Sequence, residues 1–316
     1  MTSDALRATA FRGDPDMEEL HAFFQPERQY AGDTRWTFGT SLKSAFVNSF
    51  EFLNSAPLVQ LWRDESGQIR AVSRITLAAA EWFYLADPEH RRPDVTLAIL
   101  DQADTAFQLL SDHPSWRTVL HESDAPGAEL LKARGYALDS VDEVYMTRSL
   151  ETAVPPPGIP AGFTHSLLNR EDSAQLASRA DAQTDAFRED QPRSEVRAWM
   201  SRTLPNQLYY GRPRQDPHVI ALDRQQTVVA FADVFHDTAN QIGEFEPVGT
   251  LPSHHRRGLG KAVLLRGLEL MKAAGMRRAI VRTGASNVAA IAAYESVGFE
   301  VTDRLMNYRK ARRLTS

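Results

Sequence analysis

The chain has no cysteine, no long apolar run and no large excess of either charge. The missing cysteine excludes disulfides, thiolate metal sites and acyl-cysteine intermediates. No apolar run approaches the ~20 residues that a membrane-spanning helix needs. The first residues, MTSDALRATAFRGDPD, show no cationic stretch followed by an apolar core. The sequence therefore predicts a cytoplasmic protein without a membrane partner.

Charge and length narrow the class of protein further. The 316 residues include 36 lysines and arginines against 41 aspartates and glutamates, a formal net charge of −5. This balance provides no general attraction to phosphate backbones, so we expect no nucleic-acid partner. At about 150 residues per domain, the length predicts two domains, and a hydrophobic fraction of 42% gives each half enough apolar residues for a core.

The predicted domain boundary lies in a proline-rich stretch near the middle of the chain. Residues 151–160 read ETAVPPPGIP, in which four prolines and one glycine favour an extended connector over a helix. We therefore expect a first domain at 1–153, a linker at 154–161 and a second domain at 162–316.

The two halves also share an internal repeat. Matching blocks contain a strand-turn-strand pattern, then a helical pattern after two arginines, then a glycine and a tyrosine in register. The matched positions are Pro57 and Pro217, Arg91 and Arg256, Gly135 and Gly298, and Tyr145 and Tyr308. This repeat predicts two tandem α/β domains, each a mixed, mostly antiparallel sheet flanked by helices.

In the second copy, alternating and helical apolar spacing predicts each element in turn. Strands are expected at 163–168, 218–223, 228–235, 241–250, 277–284 and 301–310. Helices are expected across 170–202, with a break near Gln191–Pro192, and at 261–274 and 288–296.

The most informative segment lies between the strand at 241–250 and the helix at 261–274. It contains two glycines two residues apart, Gly258 and Gly260. A strand, a glycine loop and a helix start present unpaired N–H groups and the positive end of the helix dipole, which suits a pyrophosphate. The spacing alone is weak evidence, because a flexible glycine loop before a helix has the same pattern.

Two longer motifs give the segment a more specific meaning. They are P-x-x-x-R-R-G-L-G-K over residues 252–261 and S-N-x-x-A-I-x-x-Y-E-x-V-G-F over residues 286–299. With them the second copy resembles the GNAT N-acetyltransferase superfamily. The resemblance implies acetyl-CoA as co-substrate and direct attack by a primary amine of a small molecule, without a covalent enzyme intermediate.

The resemblance also implies which residues bind the co-substrate. The family's pyrophosphate pattern, Gln/Arg-x-x-Gly-x-Gly/Ala, falls on His255, Arg256, Arg257, Gly258, Leu259 and Gly260, with histidine in the first position. The strand that binds the pantetheine arm falls on Val248, Gly249 and Thr250, where a glycine and Pro247 favour a bulge. Arg256, Arg257 and Lys261 could pair with the phosphates of CoA or could simply be solvated.

Asn287 and Tyr294 match two further positions of the family. The family's asparagine contacts the cofactor arm, but Asn287 could equally cap a helix that begins at Val288. The family's tyrosine lies near the cofactor sulfur, and a phenol with a pKa near ~10 can donate a proton to a leaving thiolate. The alternative for Tyr294 is a packed aromatic ring with its hydroxyl at a polar edge.

The strand also supplies candidates for a general base. Glu244 and Glu246 flank Phe245, so the period of two puts both carboxylates on one face of the strand. We expect one of them to accept the amine proton through a water, the alternative being a solvent-facing acidic edge. Some peptide N-terminal acetyltransferases of the family have a glutamate where this chain has Arg282, which argues against peptide acceptors. We expect no metal, because His254 and His255 lack further ligands at suitable spacing.

The first copy has lost the family's pattern. Pro93 and Val95 stand where the second copy has its glycine pair, and Leu131 stands in place of Tyr294. Proline has no N–H, so the first copy is predicted to be degenerate. In its length and its tandem arrangement, the chain resembles the mycothiol synthases. A mycothiol-synthase-like reaction, a longer acyl donor and a non-catalytic acyl-CoA sensor stay open as alternatives, and the oligomeric state is not predicted.

Overall fold

The computed structural model describes residues 6–12, 14–23, 58–187, 194, 216–238 and 240–313. The strands are β1 (Arg7–Ala10), β2 (Leu58–Arg63), β3 (Ile69–Thr76), β4 (Glu81–Ala86), β5 (Ser115–His121), β6 (Ala137–Ser149), β7 (Thr164–Leu167), β8 (His218–Leu222), β9 (Val228–Asp237), β10 (Ile242–Thr250), β11 (Arg278–Gly284) and β12 (Glu300–Ala311). The helices are α1 (Asp14–Phe23), α2 (Pro93–Leu110), α3 (Ala125–Ala133), α4 (Ser173–Phe187), α5 (Leu259–Ala273) and α6 (Val288–Glu295).

The predicted fold class is confirmed, and the order of elements repeats. The first copy runs β2-β3-β4-α2-β5-α3-β6, and the second runs β8-β9-β10-α5-β11-α6-β12. The pairs β1 with β2, β2 with β3, β3 with β4, β5 with β12, β7 with β8, β8 with β9 and β9 with β10 are antiparallel. The pairs β4 with β5 and β10 with β11 are parallel. Each copy therefore combines antiparallel hairpins with one parallel crossover through a helix.

The predicted helix limits that can be compared differ from the observed ones by at most three residues. Helix α5 begins at Leu259, two residues before the expected start, because Gly258 adopts a left-handed conformation (φ 81°) and serves as its N-cap. Within the expected helical stretch 170–202, the structure forms α4. The break expected near Gln191–Pro192 and the helix after it lie outside the described residues.

By packing, the chain forms two compact units. Unit one contains the described residues up to 144 together with 303–313, and unit two contains the described residues from 145 to 302. Residues 303–311 of β12 therefore belong to unit one, and residues 145–149 of β6 belong to unit two. The limits expected from the sequence repeat, 1–153 and 162–316, stay a prediction.

Unit one has a core of aromatic side chains behind its sheet. Trp82 and Trp116 donate their indole N–H groups to the hydroxyl of Tyr136 at 3.0 and 2.9 Å. That hydroxyl donates to Asp104 at 2.7 Å, and Phe107 stacks on Trp116 with ring centroids 5.4 Å apart. Buried tryptophan and tyrosine thus have their polar atoms satisfied, as a stable core requires.

In unit two the strands lie in the order β6-β11-β10-β9-β8-β7. Helix α5 covers one face, where Gly267 comes so close to the ring of Phe245 that a methyl group there would lie 2.4 Å from it. Helix α4 covers the other face, where Arg179 lies over the ring of Phe231. The apolar residues of α5 recur every three to four positions, so they form one buried stripe against the sheet.

None of the helices formed by the described residues combines the length and the apolar character that crossing a membrane would require.

Candidate active site

The central feature of unit two is a bulge in β10. Against β9, Phe245 pairs with Val234 and Val248 pairs with Ala232, so Glu246 and Pro247 together face the single residue Asp233. The irregularity expected from Pro247 and Gly249 is therefore present, and proline at a bulge loses no ladder hydrogen bond.

The same bulge lies where β10 separates from β11. The parallel register of the two strands runs from Ile242 opposite Arg278 to Phe245 opposite Val281. Beyond it β10 continues to Thr250 and β11 to Gly284 without that pairing. Beyond Phe245 and Val281 the ladder no longer joins the two strands, and the gap between their carboxyl ends, here called the cleft, leaves strand edges to which a ligand can hydrogen-bond.

A tight loop leads from β10 into α5. It contains a 3₁₀ turn at Pro252–His254, and Arg256 and Gly258 both have positive φ values of 58° and 81°. The first amides of α5 have no acceptor inside the helix and point back toward the loop. Gly260 lies beside the end of β10, since a Cβ there would be 3.4 Å from the hydroxyl of Thr250. This arrangement can hold a pyrophosphate at the helix start, as the glycine pair predicts.

The side chains of the loop have distinct surroundings. His255 is exposed and donates from Nε2 to the carbonyl of Thr250 at 3.0 Å, which ties the loop to the strand end. Arg257 is also exposed, with its guanidinium 4.9 Å from the ring centre of Phe163. Arg256 and Lys261 are exposed at the helix start, in reach of solvent or of an anionic ligand.

Glu244 of β10 lies on the face opposite Phe245: Phe245 points toward α5, so Glu244 points to the face that α4 covers. Glu246 is one of the two bulge residues, where the period of two is interrupted, so its sharing a face with Glu244 stays a prediction. Glu244 is buried, at 5% exposure, whereas Glu246 is half-buried. Arg282 on β11 follows Val281 by one residue and therefore belongs to the same face by register.

Tyr294 lies on α6 and is buried, with its ring 6.0 Å from that of Phe299. Burial first, and the charge of Glu246 second, raise the pKa of the Tyr294 phenol above its ordinary value. The phenol therefore keeps its proton throughout the neutral range. Glu246, and not Glu244, is the glutamate whose charge acts on the phenol.

Asn287 caps α6, because its side-chain oxygen accepts the N–H of Ala290 at 3.1 Å. The side-chain amide hydrogens still have the capacity to donate to a ligand. Contact between Asn287 and the cofactor arm stays a prediction beside this structural role.

The first copy differs at each matching position. Helix α2 begins at Pro93, and its residue Thr96 hydrogen-bonds with the hydroxyl of Tyr84 at 3.0 Å. Val95 and Leu131 are buried. This helix start lacks the glycine loop, and a tyrosine side chain occupies its first turns.

Sequence reasoning missed a buried polar group on the α4 side of unit two. Arg179, His218 and Asp233 are each at most 2% exposed, and Arg179 and Asp233 form an ion pair at 2.6 Å. One signal was present in the sequence, since Asp233 interrupts the apolar run VVAFADVF of a buried strand. The described residues contain no cluster of three His, Asp or Glu side chains arranged to hold a metal ion.

Comparison with known proteins agrees with the geometry. The acetyltransferase (GNAT) family matches residues 180–299. A mycothiol acetyltransferase of Corynebacterium glutamicum (strain ATCC 13032) is 24% identical over 98% of this chain and 99% of its own length. A mycothiol acetyltransferase of Frankia alni is 29% identical over 71% of this chain and 68% of its own length.

Solved structures share the fold. A tandem GNAT protein from the clavulanic acid biosynthesis pathway superposes with a TM-score of 0.68 at 17% identity, covering 98% of this chain and all of that one. A GCN5-related N-acetyltransferase from Sphaerobacter thermophilus gives 0.59 at 18% identity, covering 100% and 98%. Residues 180–299 of the chain match the GNAT family, and the chain is an N-acetyltransferase, which transfers an acetyl group to an amine.

Proposed function

We propose that the cleft between β10 and β11 of unit two binds acetyl-CoA and a small molecule with a primary amine. The observation that supports this proposal is the bulge of β10 at Glu246–Pro247, together with the effect of the Glu246 charge on the Tyr294 phenol. GNAT enzymes use acetyl-CoA as co-substrate. The loop and helix start at 255–261 would hold its pyrophosphate, and Val248, Gly249, Thr250 and Asn287 would hold its pantetheine arm.

In the proposed reaction the Glu246 carboxylate, through a water, removes one proton from the acceptor ammonium. The free amine then attacks the thioester carbonyl, a C–N bond forms and the C–S bond breaks. Tyr294 donates its proton to the leaving sulfur and is reprotonated by the proton that the new amide nitrogen loses. Glu246 returns its proton to solvent, so the products are the amide, CoA and one proton. Glu244, being more deeply buried, is the second candidate for the base.

Two proposals differ in the class of acceptor. In the first, the enzyme acetylates small-molecule amines of several kinds. In the second, the acceptor is a mycothiol-related amine, which the names of the relatives favour. The acyl-CoA sensor is the non-enzymatic alternative, but a buried phenol on which the charge of a glutamate acts supports the enzyme, because a sensor needs neither an acid nor a base. We place the enzyme in the cytoplasm, where acetyl-CoA is available, and we keep the first copy as a degenerate domain.

A thiol-release assay tests the proposal. Acetyl-CoA is incubated with the full chain and a panel of amines that includes amino sugars, amino acids and a cysteinyl amino-sugar conjugate. We expect amine-dependent release of CoA thiol that falls strongly in Glu246→Gln. The matched control is Glu295→Gln, which changes an exposed glutamate beside Tyr294. Acetyl-CoA binding without turnover on any amine would favour the sensor.

A further inference from the structure

A buried charged cluster lies between α4 and the sheet of unit two, outside every motif of the sequence. Arg179 on α4 donates from Nη2 to Asp233 Oδ2 at 2.6 Å and from Nη1 to Gln183 Oε1 at 2.9 Å. Its guanidinium carbon lies 3.4 Å from the ring centre of Phe231. His218 on β8 completes the cluster, with Nδ1 3.6 Å from Asp233 Oδ1.

Burying such a charged cluster makes an unfavourable contribution to the free energy of folding. Moving an arginine and an aspartate out of water is unfavourable, and well-packed apolar residues of similar volume often serve a core as well or better. Arg179 is fully buried, at 0% exposure, so no contact with solvent reduces this cost of desolvation. A role beyond packing is therefore the better explanation.

The position of the cluster suggests that role. Asp233 is the residue of β9 that faces the Glu246–Pro247 bulge. Phe231, two residues earlier on the same face, packs against Gly249 so tightly that a methyl group there would lie 2.4 Å from its ring. The guanidinium of Arg179 thus contacts two residues of β9. One of them, Asp233, faces the bulge that contains the predicted base, and the other, Phe231, packs against Gly249 of the predicted pantetheine strand.

We propose that Arg179 is a positioning residue for acetyl transfer. It neutralises Asp233 opposite Glu246 and holds Phe231 against Gly249, so that the carboxylate at the bulge acts as base beside a correctly placed cofactor arm. The proposal rests on the proposed function, because it takes Glu246 as the base.

The charges near the bulge determine in which direction the loss of Arg179 should shift the pH dependence. Among the described residues, Asp233 on β9 faces the bulge that contains Glu246, and Arg179 on α4 and His218 on β8 lie next to Asp233. The charge of Glu246 also acts on Tyr294 on α6, and Glu244 on β10 and Arg282 on β11 are ionisable groups of the two strands beside the cleft. Tyr294 is neutral, and burial lowers the pKa of His218 to about 4, so His218 is also neutral near pH 7 while Arg179 is present. If Arg179 is removed, Asp233 loses its ion-pair partner opposite the bulge. The negative charge that Asp233 then retains, where His218 does not take up a proton in place of Arg179, disfavours a second negative charge at the bulge and competes for the ammonium of the acceptor.

The experiment compares the pH dependence of kcat/KM for the amine in four variants of the cluster and one control, all in the full chain. Arg179→Met should move the acid limb to higher pH by about one unit, and Asp233→Asn should move it to lower pH. The double variant Arg179→Met with Asp233→Asn should return it close to the wild-type position. Arg179→Lys keeps the charge and should move the limb less than Arg179→Met, and Arg224→Met is the control at an exposed arginine of the same unit.

Acetyl-CoA affinity and melting temperature are measured for every variant. An acid limb that stays in place in all of them, with losses only in melting temperature, would mean that the cluster is structural and would overturn the proposal. If Arg179→Met does not fold, Arg179→Lys, Asp233→Asn and the neutral double variant still decide the question.

Glu246→Gln separates failure of this proposal from failure of the proposed function. If the acid limb persists in Glu246→Gln, the assignment of the base is wrong, and the present inference falls with it. If the limb disappears in Glu246→Gln but does not respond to Arg179→Met or Asp233→Asn, the positioning role alone is wrong.

Discussion

At the scale of single residues, Tyr294 gives a direct test of the chemical step. Tyr294→Phe keeps the ring against Phe299 but removes the proton donor, so kcat should fall by about 10²-fold while KM for acetyl-CoA changes little. Because burial and Glu246 raise the pKa of the phenol, the wild-type enzyme should not lose activity through Tyr294 on the alkaline side of neutrality. Steady-state kinetics across pH, with Glu295→Gln as control, measure both effects. Full kcat in Tyr294→Phe would contradict the acid role.

Gly249 tests the packing behind the cofactor strand. A Cβ at this position would lie 2.4 Å from the ring of Phe231, far inside contact distance. Gly249→Ala should therefore displace the ring or the strand and lower the free energy of unfolding by about 1 to 3 kcal/mol. Thermal unfolding checks this, and Gly158→Ala is the control, because nothing lies within 4 Å of a Cβ built there. Equal melting temperatures for the two variants would refute the close packing.

Single residues of the site differ in how far the sequence predicts them. The face of Glu244 follows from the period of two, and the structure agrees because Phe245 packs on α5. The face of Glu246 does not follow in this way, because the bulge interrupts the alternation. No sequence pattern predicts the burial of Arg179, because an arginine in a helix of low amphipathicity is normally solvated. Only the pairing of α4 with β9 brings it to Asp233. Contacts between elements distant in sequence are set by tertiary packing, which local patterns do not contain.

At the scale of elements, the start of α5 is the feature that most depends on local backbone chemistry. Gly258 has φ 81°, which proline cannot adopt, and proline also removes an N–H from the predicted phosphate cradle. Gly258→Pro should abolish acetyl-CoA binding. Gly258→Ala keeps the N–H and carries only the strain of a left-handed alanine, about 1 kcal/mol, so it should bind more weakly by less than about tenfold.

Calorimetry with acetyl-CoA measures both Gly258 variants after their melting curves show folded protein. Wild-type affinity in folded Gly258→Pro would remove the phosphate assignment from this loop.

The elements themselves follow from sequence to a large extent. The order of strands and helices in the second copy agrees with apolar periodicity, and the N-terminus of α5 differs by two residues because Gly258 caps it. Which strands lie side by side does not follow from the apolar periodicity in the same way. The placement of β12 beside β5 involves His121 opposite Leu305, a pairing between residues of opposite halves of the sequence that no local pattern encodes.

At the scale of the whole molecule, the two copies should differ in ligand binding. Proline at the start of α2, and the hydrogen bond between Tyr84 and Thr96, leave no glycine cradle in the first copy. Titration of the full chain with acetyl-CoA should therefore give one equivalent per chain. Two equivalents of similar affinity would show that the first copy is not degenerate.

The buried histidine of unit two should make its stability depend on pH. Burial lowers the pKa of His218 to about 4, against about 6.5 in the unfolded chain, while Asp233 opposes the shift. The unfolded chain therefore binds the proton first as the pH falls. The folded state keeps this contribution above pH 6.5 and loses it progressively down to pH 4, by about 2 kcal/mol between pH 7 and pH 5.

Native-state hydrogen exchange of the β8 and β9 amides at the two pH values measures this loss. The loss should be largely missing in His218→Gln and unchanged in His113→Gln, which replaces an exposed histidine. An identical loss in His218→Gln would assign the pH dependence to other groups.

The assignment of residues 303–311 to unit one has a consequence for biosynthesis. In that unit β12 lies between β5 and β6, yet the ribosome makes Asp303 more than 150 residues after the end of β6 at Ser149. When only the first copy has left the ribosome, the position of β12 between β5 and β6 is therefore unfilled, and the edges of both strands are unpaired. Vectorial folding, in which the N-terminal domain matures first, does not suit such a chain. We therefore expect the sheet of unit one to be completed only after the second half has been translated.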